Sequence, residues 1–404
     1  MLAIAAVAAI ASMFFVPPDG KYLTYFDWRT IGCLFCVLAV AAAFRLMGAF
    51  GYLARTVVGH FSRPVMVALM LVLVTAAVSM VATNDVALIV MLPLSAAIAV
   101  RAGWVRLLPA LFALQALAAN LCGMITPFGS PHNLYLYSYY HLELGEFLAT
   151  MALPFAVSVA GIVAATVLLA HRLGRTPEST PPSKEVSCAG CEGQRNTKSA
   201  DASDDPLPET SSASAVRIHH LSFRRLSAYG VLLVLTMLAV FRVVPVAVAV
   251  VVVAVALALL DRRALRAVDY PLLLTFVCFF VFAGNLARLP WLAEALGGHM
   301  ESWGLLISAG ASQIISNVPA AVLLSHFTTA WQPLLIGVNI GGAGTFVGSL
   351  ASLIAIQHFT SARKIYPALR TDGAPTTGAF LLQFAALNFA FQMLLLIICQ
   401  VAGF

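Results

Sequence analysis

Apolar runs close to the length of a bilayer crossing alternate with short polar stops along most of the chain. Residues 1–16 are apolar and stop at Pro17-Pro18-Asp19-Gly20. With no basic residues ahead of it, this run reads as a retained span rather than a cleaved leader. Residues 31–47 form the second run, and a loop with Arg45, Arg55 and Arg63 follows. Runs 65–82 and 86–100 are separated only by Thr83-Asn84-Asp85. Run 107–125 leads into a Gly-, Thr- and Pro-rich segment that reads as irregular to about Tyr140, and 147–170 is the next span. Beyond a polar stretch at 171–225, apolar runs resume at 226–241, 246–260 and 270–286. Runs 303–315 and 320–327 flank Ser316-Asn317-Val318-Pro319, run 334–357 holds a second Gly-rich segment, and 378–401 closes the chain. The expected fold is an all-α polytopic membrane protein.

The two Gly-rich segments share one spacing. Asn120, Gly123, Thr126, Gly129 and Ser130 follow N-x2-G-x2-T-x2-G-S, and so do Asn339, Gly342, Thr345, Gly348 and Ser349. Each copy is preceded by one of the two polar breaks. Paired interruptions in corresponding places of two hydrophobic halves mark a transporter's binding site. Unwound backbone at membrane depth is costly unless it lines a cavity or binds something. The glycines allow unwinding, and Pro127 and Pro131 remove amide donors and stop the helix. The hydroxyls of Thr126, Ser130, Thr345 and Ser349, with freed carbonyls, suit a hard cation. Half-helix N-termini favour anions. The competing reading is a Gly/Pro kink or small-residue helix packing; recurrence of the spacing in both halves argues against it.

Asn84 and Asn317 sit at the two breaks, each able to offer an oxygen to a cation or N–H groups to an anion, or else to cap the next helix. Na+ is expected near Asn84 and Gly129 in one half and Asn317 and Gly348 in the other. Asp85 is the only acidic residue inside an apolar core stretch. Its insertion costs roughly 2.5–3.5 kcal/mol, so a functional role is the default, against an N-terminal role in the helix that follows. A proton carrier and a fixed Na+ ligand are both open to it. His132 and Asn133 lie in the first irregular segment, and Ser316 stands beside Asn317; all join the candidate substrate and ion site. Asn285 and Arg288 read either as polar lining or as interfacial groups.

Composition agrees: 61% of residues are hydrophobic and 10% charged, against roughly 25% charged in soluble domains. The formal charge of +6 is spread over short loops, which argues orientation rather than nucleic-acid binding. If each polar break is the tip of a re-entrant hairpin, 19 of the 23 Lys and Arg fall on one side, which is then cytoplasmic. The halves then run in opposite senses, as an inverted-topology repeat with two re-entrant hairpins and two discontinuous helices. The expected division is a first repeat at 1–171, a disordered cytoplasmic linker at 172–225, and a bridging span with the second repeat at 226–404. Cys188 and Cys191 make a C-x2-C in the linker, a weak metal signal without a second pair.

Thr83-Asn84-Asp85, Thr126-Pro-Phe-Gly-Ser-Pro-His-Asn133, Ser316-Asn-Val-Pro319 and Thr345-Phe-Val-Gly-Ser349 resemble the ion transporter superfamily. That clan holds arsenite permeases, NhaD-type sodium/proton antiporters, citrate permeases and divalent-anion/sodium symporters. The resemblance spans nearly the whole chain outside the linker. It implies the inverted-repeat fold, a homodimer and an elevator motion. In the divalent-anion symporters the tips carry Ser-Asn-Thr; here both asparagines match and the third position is Asp85 or Val318, a pattern nearer the arsenite-permease and antiporter branch.

The expected function is secondary active transport of a small anion, an inorganic oxyanion or a carboxylate, across the bacterial inner membrane, coupled to H+ or Na+. Na+/H+ antiport and arsenite-type efflux are the alternatives. No cofactor and no nucleic-acid partner is expected; the partners are the lipid bilayer, the small anionic solute and a second copy of the chain. One Asp and one His in the core do not make an intramembrane enzyme's catalytic set. No G-x4-G-K-[ST] occurs, so this chain by itself carries no ATP-driven pump motif.

Overall fold

A computed structural model describes residues 2–173, 223–346, 348–371 and 375–404. Most of the 172–225 linker, with Cys188 and Cys191, lies outside the described residues. Every long element is helical, because apolar side chains at membrane depth require all backbone groups to be paired within their own segment. Seven described helices are long and apolar enough to cross a bilayer.

The first half contains α1 (Leu2–Phe15), α2 (Trp28–Met47), α3 (Ala49–Val58), α4 (Pro64–Ala82) and α5 (Asn84–Arg101). It continues with α6 (Leu108–Leu117), which ends in a π-helical turn at Ala118–Cys122, then α7 (Pro131–Tyr139) and α8 (Leu144–Leu173). The second half follows as α9 (Phe223–Val240), α10 (Val246–Leu260), α11 (Arg262–Arg266), α12 (Tyr270–Ala287) and α13 (Pro290–Ile315). It closes with α14 (Asn317–Leu324), α15 (Trp331–Gly341), α16 (Leu350–Ile365) and α17 (Thr377–Val401).

Several boundaries differ from the sequence expectation. Residues 49–58 form α3 rather than loop, with Phe50, Ala54 and Val58 buried on one face. The first irregular segment ends at Ser130, not near Tyr140. Pro131 sits in the first turn of α7, where its missing amide costs nothing. The helix before Ser316 begins at Pro290 rather than Trp303 and bends at Trp303, whose φ and ψ are −127° and 21°. Helix α8 runs through His171 and Arg172 to Leu173.

The packing comes in matched pairs. Helix α1 lies along α12 while α2 lies along α10, and α5 meets α16 while α7 meets α14. Helices α4 and α5 fold back on each other, as do α13 and α14. Asn285 and Arg288 hold the end of α12 to α1 and to the segment after it. Asn285 Nδ2 donates to Ser12 Oγ (2.9 Å) and Tyr22 Oη (2.8 Å). Arg288 pairs with Asp19 at 2.9 Å and holds that carboxyl below its usual range. These two residues are therefore interfacial fasteners rather than cavity lining.

Candidate functional site

Each of the two turns hinges on one residue with left-handed backbone: Thr83 at φ 94° and Ser316 at φ 75°. A non-glycine residue there is strained and persists only where its surroundings hold it. The holding contacts are the same in both halves. The Asn84 amide donates to Gly129 O at 3.1 Å, and the Asn317 amide donates to Gly348 O at 3.1 Å. Thr126 Oγ1 donates to Met80 O at 2.8 Å, and Thr345 Oγ1 donates to Gln313 O at 3.1 Å. Thus the repeated Thr braces the incoming helix three residues before the turn, and the repeated Gly carbonyl secures the first amide after it. A Cβ on Gly129 would run into Gly123 O, and one on Gly348 into Gly341 O, which explains glycine at both positions.

The two Asn of the repeated spacing link the halves. Asn120 Nδ2 donates to Gly342 O at 3.3 Å, which leaves Asn120 Oδ1 to accept from Asn84 Nδ2 and Ser349 Oγ, both at 3.0 Å. Asn339 Nδ2 donates to Leu335 O (2.8 Å) and to Asn133 Oδ1 (2.6 Å). Asn133 Nδ2 in turn donates to Met124 O at 3.2 Å. With its amide nitrogen so committed, Asn339 presents Oδ1 to His132 Nε2 at 3.0 Å. Nε2 therefore carries a hydrogen, and in the neutral ring Nδ1 is a bare acceptor. His132 Nδ1 has no partner, although the residue is only 3% exposed.

A cavity of about 410 Å3 lies where these elements converge. Its wall includes Asn84, Asp85 and His132 from the first half, and Ser316, Asn317 and Ser349 from the second. Helices α5, α7, α14 and α16 all begin at this wall, at Asn84, Pro131, Asn317 and Leu350. Four helix N-termini thus meet at the wall and favour negative charge there, although the Asn84, Asp85, Asn317 and Ala351 amides are already held by Gly129 O, Asn84 Oδ1, Gly348 O and Ser349 Oγ, and Pro131 and Pro319 have none. Among the described residues no Lys or Arg lines the cavity. Asp85 Oδ1 is buried without a hydrogen-bond partner. Leu2, Ala3, Asp269 and Pro271, at the starts of α1 and α12, complete the wall.

Of the residues singled out in the sequence, Asn84, Asp85, His132, Ser316, Asn317 and Ser349 thus meet in one cavity. Asn120, Ser130, Asn133 and Asn339 stand behind that wall as its hydrogen-bonded support, with Ser130 Oγ 3.3 Å from His132 Nε2. Thr126, Gly129, Thr345 and Gly348 hold the turns. Sequence reasoning passed over Asp269, Thr275 and Phe279 of the α12 region, which line the cavity, and Gln313. The Gln313 amide donates to Gly341 O and Ala343 O and accepts from the Thr345 amide, filling the second break from the side. Asp269 does carry a local signal, an Asp before Tyr270-Pro271. That signal is a helix start, and Asp269 indeed caps α12 by accepting from the Leu272 amide at 3.0 Å.

Comparison with known proteins bears on this arrangement. A family model described as citrate transporter, CitMHS, matches residues 1–336. An inner membrane protein of Escherichia coli K12, YbiR, is 30% identical over 367 residues, covering 87% of this chain and 85% of that protein. An uncharacterized transporter of Methanocaldococcus jannaschii is 28% identical over 334 residues, covering 82% and 81%. A 46 kDa membrane protein of Mycobacterium leprae is 24% identical over 373 residues, covering 84% and 80%.

Proposed function

This chain belongs to the citrate transporter family, and on that premise we propose that it is a secondary active transporter of a small anion, a carboxylate or an inorganic oxyanion, driven by H+ or Na+. The observation that carries this reading is the meeting of four helix N-termini at one cavity. Each N-terminus contributes roughly half a positive charge, and those first-turn amides not already held by Gly129 O, Asn84 Oδ1, Gly348 O and Ser349 Oγ are donors to carboxylate or oxyanion oxygens. The volume falls in the range of small-molecule sites. The family's description favours a carboxylate within the class.

In this reading the α4–α5 and α13–α14 turns are re-entrant hairpin tips, and the Gly-rich breaks are the midpoints of two discontinuous membrane helices. The matched packing of α1 on α12 and α2 on α10, with the identical bracing of Thr83 and Ser316, supports an inverted repeat. The bias of Lys and Arg supports a cytoplasmic side that includes residues 261–269. The cavity wall at Leu2, Ala3 and Asp269 then lies toward the cytoplasm, so this conformation faces inward. The E. coli relative's description supports the bacterial inner membrane as the location.

Na+/H+ antiport is the second reading, favoured by one observation: Asp85 and Asp269 line a cavity to which no Lys or Arg among the described residues contributes. Proteoliposome flux separates the two. Citrate and a panel of smaller carboxylates and oxyanions are offered with Na+ and pH gradients imposed one at a time. Accumulation of an anion under one gradient is expected. Na+ movement driven by a pH gradient with no anion carried would replace the first reading by the second.

A further inference from the structure

Among the described residues, four that are not glycine hold left-handed backbone: Thr83, Ser316, His141 and Arg242. The first two are the turns at the cavity. The other two meet each other, and neither lines the cavity. Each closes a helix by the same pair of bonds. At the end of α9 the Val243 amide donates to Leu238 O at 2.9 Å and the Arg242 amide to Ala239 O at 3.2 Å. At the end of α7 the Leu142 amide donates to Tyr137 O at 3.2 Å and the His141 amide to Ser138 O at 3.3 Å. Helices α5 and α17 close in the same way, but their left-handed residues are Gly103 and Gly403. Glycine is the ordinary choice there, because a Cβ is strained in that conformation. An arginine kept at such a position points to a use for its side chain. Arg242 Nη1 donates to His141 O at 3.1 Å, and Nη2 donates to Tyr137 O at 3.2 Å and Ser138 O at 3.5 Å. The guanidinium also stands 5.8 Å from the centre of the Tyr137 ring. A cation among the last carbonyls of a helix is favourably placed.

These bonds cross between two groups of helices. Helices α1, α2 and α9–α12 pack mainly on one another. Helices α4–α8 and α13–α17, which carry both turns and both Gly-rich breaks, pack together as the second group. Among the described residues, and apart from the covalent connections, the Arg242 contacts are the only hydrogen bonds from one group to the other. Aromatic contacts flank them: Phe241 packs on Phe128 and Tyr137, and Phe280 of α12 packs on Tyr135. Aromatic surfaces can slide over one another, whereas hydrogen bonds depend on angle and fix one position. Tyr135 Oη lies 2.8 Å from Ser325 Oγ, and Tyr140 Oη donates to Thr328 O at 2.8 Å. These ties join α7 to the end of α14, so a hold on α7 is a hold on both halves of the site.

The cavity lies between α1 and α12 on one side and the two turns on the other, so opening it to the opposite face shifts one group of helices against the other. We propose that Arg242 is the latch between the groups: it holds the cavity in its inward-facing conformation and releases the α7 carbonyls when the cavity opens outward. It is a positioning residue and does not touch the solute. The α9 turn belongs to the bridging span, which has no counterpart in the other half, so the outward-facing conformation lacks an equivalent latch. The inward sense rests on the transport reading and its orientation. The latch itself rests on the contacts alone.

The test uses the full chain with its seven native cysteines replaced by alanine and Val318→Cys added, because Val318 lines the cavity. A membrane-impermeant maleimide is given to right-side-out and to inside-out vesicles. Arg242→Gly removes the side chain and relieves the left-handed backbone, so the turn still forms; Arg242→Ala removes the side chain alone. Both should raise the ratio of external to internal labelling roughly tenfold, the shift that follows when one conformation loses about 1.4 kcal/mol. Arg242→Lys keeps the charge and should recover part of the wild-type ratio. Arg288→Gln, the control, breaks a fastener inside the first group and should leave the ratio unchanged. In proteoliposomes with Arg242→Gly, the half-saturating concentration of whichever offered anion is carried should fall severalfold on the external face, with less change on the internal one. If no offered anion is carried, the transport reading fails on flux while the labelling ratio still decides the latch. An unchanged ratio in both Arg242→Gly and Arg242→Ala, a shift toward internal labelling, or an equal rise in Arg288→Gln would overturn the proposal.

Discussion

Asn120 and Asn339 occupy equivalent places in the repeated spacing, yet the same truncation should have unequal effects. Asn339→Ala strips the partner from Asn133 Oδ1 and from the His132 Nε2–H, in residues 0% and 3% exposed. Leu335 O keeps its own helical bond, so two buried groups are left short. Buried unsatisfied groups cost about 1–3 kcal/mol each, and Ser130 Oγ near His132 offsets part, giving a loss of about 2–4 kcal/mol. Asn120→Ala also breaks three bonds, to Asn84, Ser349 and Gly342. Asn84 and Ser349, however, line the cavity, where water replaces the lost partner. Interhelical hydrogen bonds in membranes are worth about 0.6 kcal/mol on average, so the expected loss is about 1–2 kcal/mol. The void left by the side chain is the same in both and cancels in the comparison. Unfolding of the detergent-solubilised protein by SDS titration measures the difference. Half-saturation by whichever offered anion is carried should follow the opposite order, with the larger change in Asn120→Ala, because its partners touch the cavity. Equal destabilisation, or a larger one for Asn120→Ala, would refute the assignment of one asparagine to the support and the other to the wall.

Thr126→Val and Thr345→Val each remove the brace on a strained turn, at Met80 O and Gln313 O. Both should lower transport rate severalfold, with Thr126→Ser and Thr345→Ser retaining it; equal loss in Val and Ser variants would count against the brace. Gly129→Ala places a methyl against Gly123 O and pushes the Gly129 carbonyl off the Asn84 amide. Protein that reaches the membrane without transport is expected, and near-normal flux would contradict the close packing of this turn. Cysteines introduced at Arg101 and Arg363 should react only from the cytoplasmic side and one at the C-terminus only from outside; the reverse pattern would overturn the charge-derived orientation.

The repeated breaks were legible because nothing local explains them: two copies of one polar spacing in an apolar chain point to a shared construction. The job of each polar group was not legible. In such a chain Thr126 and Asp85 draw equal attention, and only non-local packing decides that one hydroxyl is consumed by Met80 O while one carboxylate oxygen is left bare. Pro131 read as a stop because proline ends helices, yet it also begins them, and the structure uses the second property. Asp269 was hidden because a helix cap is a complete explanation of an Asp before an apolar run, and its neighbour across the cavity is far away in sequence.

The differences between the halves then locate the chemistry better than the likenesses do. Where the first half has Asp85 and His132, the second has Val318 and Ala351, and where the first has Met80 the second has Gln313. The shared Gly and Thr build the turns; of the unshared groups Asp85 and His132 line the cavity, while Gln313 fills the second break. One acidic pair is shared in a different way. Asp269 caps α12, and Asp27 caps α2, accepting from the Arg29 and Thr30 amides at 3.1 Å each. Since α2 lies along α10 as α12 lies along α1, the two caps are equivalent, and in the proposed orientation they lie on opposite sides of the membrane. In the proposed inverted repeat, an exchange of roles between the halves would open the cavity outward and put Asp27 where Asp269 stands now. Asp27→Asn keeps the cap and removes the charge. It should change the half-saturating solute concentration on the external face and leave the internal one unchanged, the converse of Asp269→Asn at the cavity wall. Flux from right-side-out and inside-out vesicles measures the two faces separately, and a change confined to the internal face would refute the exchange of roles.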